Sequence, residues 1–252
     1  MVSIITPSFN CGPFIADTIR SVQAQTYKDW ELLFQDDCST DGTREIVAAF
    51  AAEDSRIKYE CNPERSGAAV TRNNALKRAT GKWVAFLDSD DVWYPDKLEK
   101  QVDFMMKNGY KFSYTGYTEI NNGLCCKNEK MVWGPKHVTK KGMYCYCWPG
   151  CLTVMYDREH VGLVQVADIE KNNDYAMWLQ VCQKADCYLL KECLAKYRRG
   201  RSGSISTQCY AKLVKWHYRL FRKAEGMNRV SAFLMTCLNI ICGVYKKLRY
   251  VR

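Results

Sequence analysis

Across the first hundred residues, short apolar runs alternate with stretches of helical period, and few folds accommodate that pattern. Val2 to Thr6, Trp30 to Phe34, Ile57 to Glu60 and Trp83 to Leu87 read as strands. Between them Phe14, Ile15, Ile19 and Val22, then Ile46, Val47 and Phe50, then the segment Ala68 to Ala79 read as helices. Strands joined through helices demand parallel neighbours and right-handed crossovers. The spacing therefore predicts an α/β fold with a doubly wound, mostly parallel central sheet flanked by helices. Ligands of such sheets bind beyond the carboxyl ends of the strands.

One of those ends carries Phe86-Leu87-Asp88-Ser89-Asp90-Asp91, three carboxylates crowded behind a buried strand. They would repel one another unless a cation neutralised them. Hard oxygen ligands at this density suit Mg²⁺ or Mn²⁺, whose remaining positions go to water and substrate phosphates. The same residues also read as a solvated acidic turn before a helix whose first turn holds Asp96. No G-x-G-x-x-G and no G-x-x-x-x-G-K-[ST] occurs, which disfavours a dehydrogenase or a P-loop enzyme. The loops are acidic and hydroxyl-rich instead, suited to a nucleoside base and ribose with the phosphate charge left to a metal.

Further along, a helix runs from Pro95 to about Lys107. Phe112 to Thr115 and Leu152 to Tyr156 read as strands, and Asn172 to Gln183 as a helix. Tyr188 to Leu190 with Leu194 to Tyr197 closes the sheet, and two helices follow near 205–224 and 229–249. Residues 121–150 show no period and suit acceptor-side loops. At 252 residues and 47% hydrophobic the chain can bury one substantial core. The fourteen cysteines lack paired C-x₂-C spacing and have three histidines for company, so free thiols are expected. Met1 leads straight into the first strand with no leader layout, which fits a cytoplasmic chain.

The net charge of +10 is unevenly placed. Lys196 to Arg252 holds fourteen Lys and Arg against Glu225 alone, while residues 1–195 are close to neutral. A basic tail suggests an anionic partner, membrane or nucleic acid, or simply a basic helix face in water. Nucleic acid would leave the acidic loops without purpose and is not expected. Val230 to Tyr245 is apolar apart from Ser231, Thr236 and Asn239, and basic residues flank it on both sides. That apolar run is shorter than the roughly 20 residues needed to span a bilayer. It reads either as an interfacial anchor on the inner face of the plasma membrane or as a helix packed on the body or on a second subunit.

Several ordered motifs together resemble the family 2 glycosyltransferases. They are Val2 to Asn10, Gln25 to Leu32, Asp36 to Thr43, Ser66 to Asn73, Phe86 to Trp93 and Pro95-Asp96-Lys97-Leu98. The second half resembles the subgroup of teichuronic acid and capsular polysaccharide glycosyltransferases of the TuaG type. Its carriers are Leu152 to Asp157, Asn173 to Leu179, Ala195 to Arg199, Ser202 to Ser206 and Lys215-Trp216.

The resemblance implies the nucleotide-diphospho-sugar transferase (GT-A type) fold. Residues 1–225 would form the catalytic domain, with 1–95 binding the nucleotide sugar and 96–225 the acceptor, and 226–252 a basic amphipathic helix. It implies that Thr6 and Pro7 border the nucleoside pocket and that Asp37 accepts from the uracil N3–H. An Asx turn is the alternative for Asp37. Arg72 would reach the nucleotide, or else form a surface salt bridge. Asp88 and Ser89 would contact the ribose or donor sugar, and Asp90 would ligate Mn²⁺ or Mg²⁺, with Asp91 behind it. Arg198, Arg199 and Ser204 would close over the diphosphate.

Asp174 stands where the family has its acceptor-activating acid, and also where a helix N-cap would sit. Asn173 replaces the usual Glu, and Cys38 stands where Gly is frequent, at a turn that favours left-handed backbone. The implied activity is an inverting, metal-dependent transfer of one sugar from a UDP-sugar to a saccharide acceptor, lipid-linked saccharides included, in bacterial envelope polysaccharide synthesis. No Q-x-x-R-W occurs, so a non-processive enzyme is expected. The rivals are a sugar nucleotidyltransferase, which usually needs a Gly-rich loop that Thr6 to Asn10 lacks, and an inactive nucleotide-sugar-binding scaffold.

Overall fold

The computed structural model describes residues 1–120, 130–167, 169, 171–199 and 210–251. Its first half is the predicted alternation: β1 (Val2–Ser8), α1 (Gly12–Gln23), β2 (Trp30–Asp36), α2 (Thr43–Glu53), β3 (Ile57–Cys61), α3 (Gly67–Lys77) and β4 (Trp83–Phe86). These strands lie in the order β3-β2-β1-β4, all parallel, so the carboxyl ends of β1, β2 and β4 meet on one edge. Alternate residues of each strand feed two cores. Ile4, Leu32 and Phe34 face α1, α2 and the later helix α4, while Ile5, Leu33 and Phe86 face α3 and the later helix α7. Gly81, just before β4, permits close approach: a Cβ there would lie 2.8 Å from the Met1 carbonyl.

The second half comprises β5 (Val92–Trp93), α4 (Lys97–Asn108), β6 (Phe112–Ile120), β7 (Lys130–Val132), β8 (His137–Val138), α5 (Lys140–Cys145), β9 (Met155–Asp157) and α6 (Arg158–Val161). There follow α7 (Asn173–Val181), β10 (Cys187–Arg198), α8 (Tyr210–Arg219) and α9 (Arg229–Tyr250). The sheet continues past β4 as β9-β6-β10-β5, with β9 antiparallel to both neighbours and β10 parallel to β6.

Three expectations are corrected here. The apolar run Leu152 to Tyr156 is not one strand. Cys151–Thr153 forms a 3₁₀ turn closed by Thr153 donating to the Gly150 carbonyl, and the strand starts at Met155. Both conformations bury the run, so its hydrophobicity could not choose between them. The segments 188–190 and 194–197 are one strand, β10. The polar Lys191-Glu192 between them marks the register shifts against β6, a bulge rather than an end. β10 also lies inside the sheet, with β5 on its far side, and so does not close it. The last helices are α8, with a π turn at Leu220–Ala224, and α9; the expected start near residue 205 lies outside the described residues.

Candidate active site

Thr6 and Pro7 sit at the carboxyl end of β1, both buried. The Ile5 carbonyl faces β4, accepting from Leu87, while that of Ser8 faces β2, accepting from Asp37. Pro7 thus turns its missing N–H toward β4 just where β4 has ended, so a proline is tolerated in an interior strand. The buried Thr6 hydroxyl has no hydrogen-bond partner among the described residues.

At the end of β2, two adjacent acids differ in their work. Asp36 accepts from Ser8 Oγ (2.8 Å), Ser39 N (3.0 Å) and Tyr59 OH (3.2 Å), and so fastens three segments. The sequence showed Asp36 only as a strand terminus. Asp37 accepts from Ser66 N (2.7 Å), Gly67 N (2.9 Å) and Asn62 Nδ2 (2.9 Å). Burial pushes its carboxyl up, but these donors outweigh burial and hold it below the ordinary value. Its partners lie just after β3 and at the start of α3 rather than in its own loop, so an Asx turn does not describe it. The next residue, Cys38, is left-handed at φ 60°, the conformation expected for that turn.

Arg72, on α3, is the hub. Its guanidinium donates to Asp88 (2.9 Å) and to Asn173 (3.1 Å), and it is nearly fully buried. It thereby joins the loop after β4 to the start of α7, elements that sequence reading could not place side by side. Burial would lower its pKa, but the charges of Cys151, Asp88 and Asp174 raise it further, so Arg72 stays cationic. The salt bridge that Arg72 forms in this structure is not the surface pair offered as an alternative, for its guanidinium is buried. Asn173 takes part in this contact as a neutral acceptor.

Asp88 is about one third exposed. The Ser89 and Asp91 carbonyls accept from Thr18 Oγ1 on α1, at 3.2 and 2.8 Å, so the acidic loop is braced from beneath. Asp91 is buried, with one oxygen accepting from Arg198 N (2.9 Å) and the other unpartnered. Burial, then the charges of Asp90 and Asp88, push its carboxyl well above the ordinary value. Among the described residues no group of three or more His, Cys, Asp and Glu is arranged to hold a metal.

Arg198 and Arg199 part company. Arg198 is buried, donating to the Asp90 carbonyl (2.9 Å), 3.6 Å from Asp17 and stacked over Phe14. It props the acidic loop rather than facing the opening. Arg199 is half exposed and pairs with Glu119 at 2.7 Å. Ser204 lies outside the described residues.

Asp174 lies in the first turn of α7; the cap position belongs to Asn172, left-handed at φ 61°, so the expected N-cap shifts by two residues. Its Oδ1 accepts from Tyr175 N at 2.8 Å. Burial raises its pKa, with Asp88 adding to the rise and Arg72 opposing it. A carboxylate with a raised pKa is the better proton acceptor. Facing it is the loop between α5 and the 3₁₀ turn: the Cys147 and Cys151 thiols both feel the Asp174 charge, and Cys151 feels Arg72 and Asp88 as well. Tyr146 to Gly150 lies in the stretch expected to hold acceptor-side loops; its particular residues carry no periodic signal and the sequence does not single them out. An open depression of about 560 Å³ lined by Tyr110, His160, Lys184 and Asp186 lies at the opposite strand ends, away from these carboxylates.

Residues 3–125 match the family model "Glycosyl transferase family 2". The chain is 41% identical over 244 residues to a Bacillus subtilis protein described as a teichuronic acid biosynthesis glycosyltransferase, TuaG, covering 96% of each. It is 41% identical over 216 residues to the Escherichia coli UDP-Glc:α-D-GlcNAc-diphosphoundecaprenol β-1,3-glucosyltransferase WfgD, covering 84% of this chain and 82% of that one. Among solved structures, S. aureus TarS with UDP-GlcNAc superposes with a TM-score of 0.70 at 18% identity, over 93% of this chain and 70% of that one. A Pyrobaculum calidifontis mannosyltransferase with GDP-Man and Mn²⁺ gives 0.67 at 16% identity, over 97% and 75%. Both share the GT-A-like fold.

Proposed function

The chain belongs to glycosyl transferase family 2, and on that premise we propose that it transfers a single sugar, with inversion, from a UDP-sugar to a lipid-linked saccharide during synthesis of a bacterial envelope polysaccharide. What carries this reading is Arg72, which brings Asp88 and the start of α7 with Asp174 together beside the acidic loop. Donor and acceptor chemistry then share one short edge of the sheet.

In this reading the uracil edge donates to the free lone pair of Asp37 Oδ2, with Thr6 and Pro7 bordering the nucleoside at the end of β1. Asp88 and Ser89 hold the ribose and donor sugar, and Asp90 holds Mn²⁺ or Mg²⁺ with Asp91 behind it. The ion's contribution, when bound, is to offset negative charge gathering on the departing diphosphate. Asp174 takes the proton of the acceptor hydroxyl as that oxygen attacks the anomeric carbon opposite the diphosphate, and one displacement inverts the centre. Arg72 keeps Asp88 oriented, and its charge limits how far the pKa of Asp174 rises. The acceptor class follows the WfgD-type relative, whose name specifies a diphosphoundecaprenol-linked sugar.

The carrier lipid places the enzyme at a membrane, and α9 supports that placement. It is the one helix among the described residues long and apolar enough to cross a membrane by length and composition. Its inner side is nonetheless polar and bonded to the body, so lying on the surface suits it better than crossing. The metal part of the reading is tested with Asp90→Asn. The variant should stay folded, lose transfer and bind UDP weakly even with Mn²⁺ present, and chelation should reproduce this reversibly in the wild type. UDP affinity unmoved by excess chelator would defeat the metal-bridged diphosphate.

A further inference from the structure

The helix α9 is two-faced in an unusual sense. Toward the body it turns Ala232, Thr236, Asn239 and Gly243, small or polar residues at helical spacing. Outward it shows Phe233, Leu234, Ile241, Val244 and Leu248, all more than half exposed. On the inner edge stands Lys246. Its Nζ donates to the Trp148 carbonyl at 2.8 Å and lies 5.2 Å from the Tyr146 ring centroid. Among the described residues no carboxylate lies within ion-pair distance of it; Glu119, the acid whose charge reaches it, is paired with Arg199 at 2.7 Å.

A partly buried ammonium without a counter-ion is costly and is uncommon unless a ligand supplies the anion. Burial indeed pushes the amine down to about 8, as expected of an ammonium short of negative charge. Two further observations say where that anion would sit. The Trp148 carbonyl belongs to the wall of the site, and the Cys147 thiol beside it feels the charges of both Asp174 and Lys246. The neighbouring rings of Tyr146, Trp148 and Tyr250 pack edge to face, at 5.3 and 5.8 Å between centroids, and fix the carbonyl that Lys246 meets. Gly243 admits the Tyr146 ring, since a Cβ there would lie 2.9 Å from it.

We propose that Lys246, with Tyr146 and Trp148, forms the subsite for the diphosphate of a polyprenyl-diphosphate-linked acceptor. The proposal rests on the lipid-linked acceptor reading above and adds its recognition element. With the outer face of α9 on the bilayer, the subsite opens at headgroup level, where such a diphosphate lies. The acceptor sugar then extends past Cys147 toward Asp174, and the prenyl chain leaves along the apolar face. Lys246 touches neither donor nor reacting atoms; it binds the acceptor.

The test is equilibrium binding, in the presence of UDP, of a short-chain N-acetylglucosaminyl diphospholipid and of its ether-linked counterpart lacking the diphosphate. The wild type should prefer the diphosphate compound. Lys246→Gln, which keeps a donor for the Trp148 carbonyl but loses the charge, should weaken that compound about 10- to 100-fold, in the range of hydrogen bonds to charged groups. Its affinity for the ether compound, for UDP and for phosphatidylglycerol vesicles should match the wild type, and Lys246→Arg should recover most of the loss. Equal weakening for both compounds would show that Lys246 merely holds the Trp148 loop, and the subsite assignment would fall. A wild-type preference that survives in Lys246→Gln would also sink it, leaving the transferase reading intact. No preference in the wild type would overturn both the subsite and the lipid-linked acceptor.

Discussion

At the scale of residues, the site is a balance of charges that single substitutions can tip. Asp174→Asn removes the base but not the donor pocket, so turnover should fall about 10²- to 10⁴-fold with UDP affinity little changed. In the wild type the acid limb of the kcat profile should lie above the ordinary carboxylate range, because burial and Asp88 raise the pKa and only the ionised form accepts a proton. A limb at the ordinary carboxylate position, or a fully active Asp174→Asn, would remove Asp174 from the role. Cys38 offers a stability test. Its left-handed backbone penalises any side chain, partly offset by the freedom Gly adds to the unfolded chain. Cys38→Gly should gain about 0.5 kcal/mol and Cys38→Val, β-branched, should lose about 1–2 kcal/mol, read by urea denaturation. A loss of stability in Cys38→Gly would mean that the Cys38 thiol contact with the Asn62 carbonyl (3.3 Å) outweighs the strain.

At the scale of elements, α9 and α7 are linked. Tyr175, next to Asp174, donates its hydroxyl to the Met143 carbonyl at 2.7 Å and accepts from Asn239 of α9 at 2.9 Å. The sequence left α9 as either an anchor or a packed helix, and the structure shows it packed on one side with the other side bare. Removing everything after Glu225 would uncover Tyr175 and the π turn, so truncation should destabilise the body as well as any membrane contact. Changing the outer face separates the two. Phe233→Ser, Ile241→Ser and Leu248→Ser combined should leave the melting temperature nearly unchanged, since exposed positions contribute little to folding. Each lost apolar side chain removes up to about 1.5–3 kcal/mol of burial, so sedimentation with anionic vesicles should fall more than about 100-fold. A triple variant that still sediments like the wild type would count against α9 as the contact.

At the scale of the whole molecule, the two cores meet polar interior groups that stability must carry. Lys97, on α4, is fully buried over the Trp93 ring, its Nζ donating to Gln101 at 2.7 Å. Burial pushes its ammonium down to about 7, while in the unfolded chain it holds its proton to about 10.4. Between those values the unfolded state binds more protons, so this residue makes folding more favourable as pH rises from about 7 to about 10. Below pH 7 its full penalty applies. Lys97→Met should therefore compare best with the wild type at pH 6.5 and lose that relative advantage by pH 9.5 in urea denaturation. A difference between the two proteins that does not change with pH would mean that Lys97 stays charged in the fold.

The alternation of β1 to β4 with α1 to α3 was legible because each segment's period is local and its short loops leave one topology. The acidic turn, the left-handed position at Cys38 and the basic, apolar tail were legible for the same reason: each depends on neighbours in the chain. Tertiary structure alone decided the rest. The turn at Leu152 was hidden because burial erases the difference between strand and turn, and the bulge in β10 because a polar pair looks like an end. Arg72 reaches Asn173 across 101 positions, Lys246 reaches Trp148 across 98, and no local pattern encodes either. Which face of α9 meets the body was equally invisible, for the packed side is the polar one, held by hydrogen bonds whose partners lie on other elements.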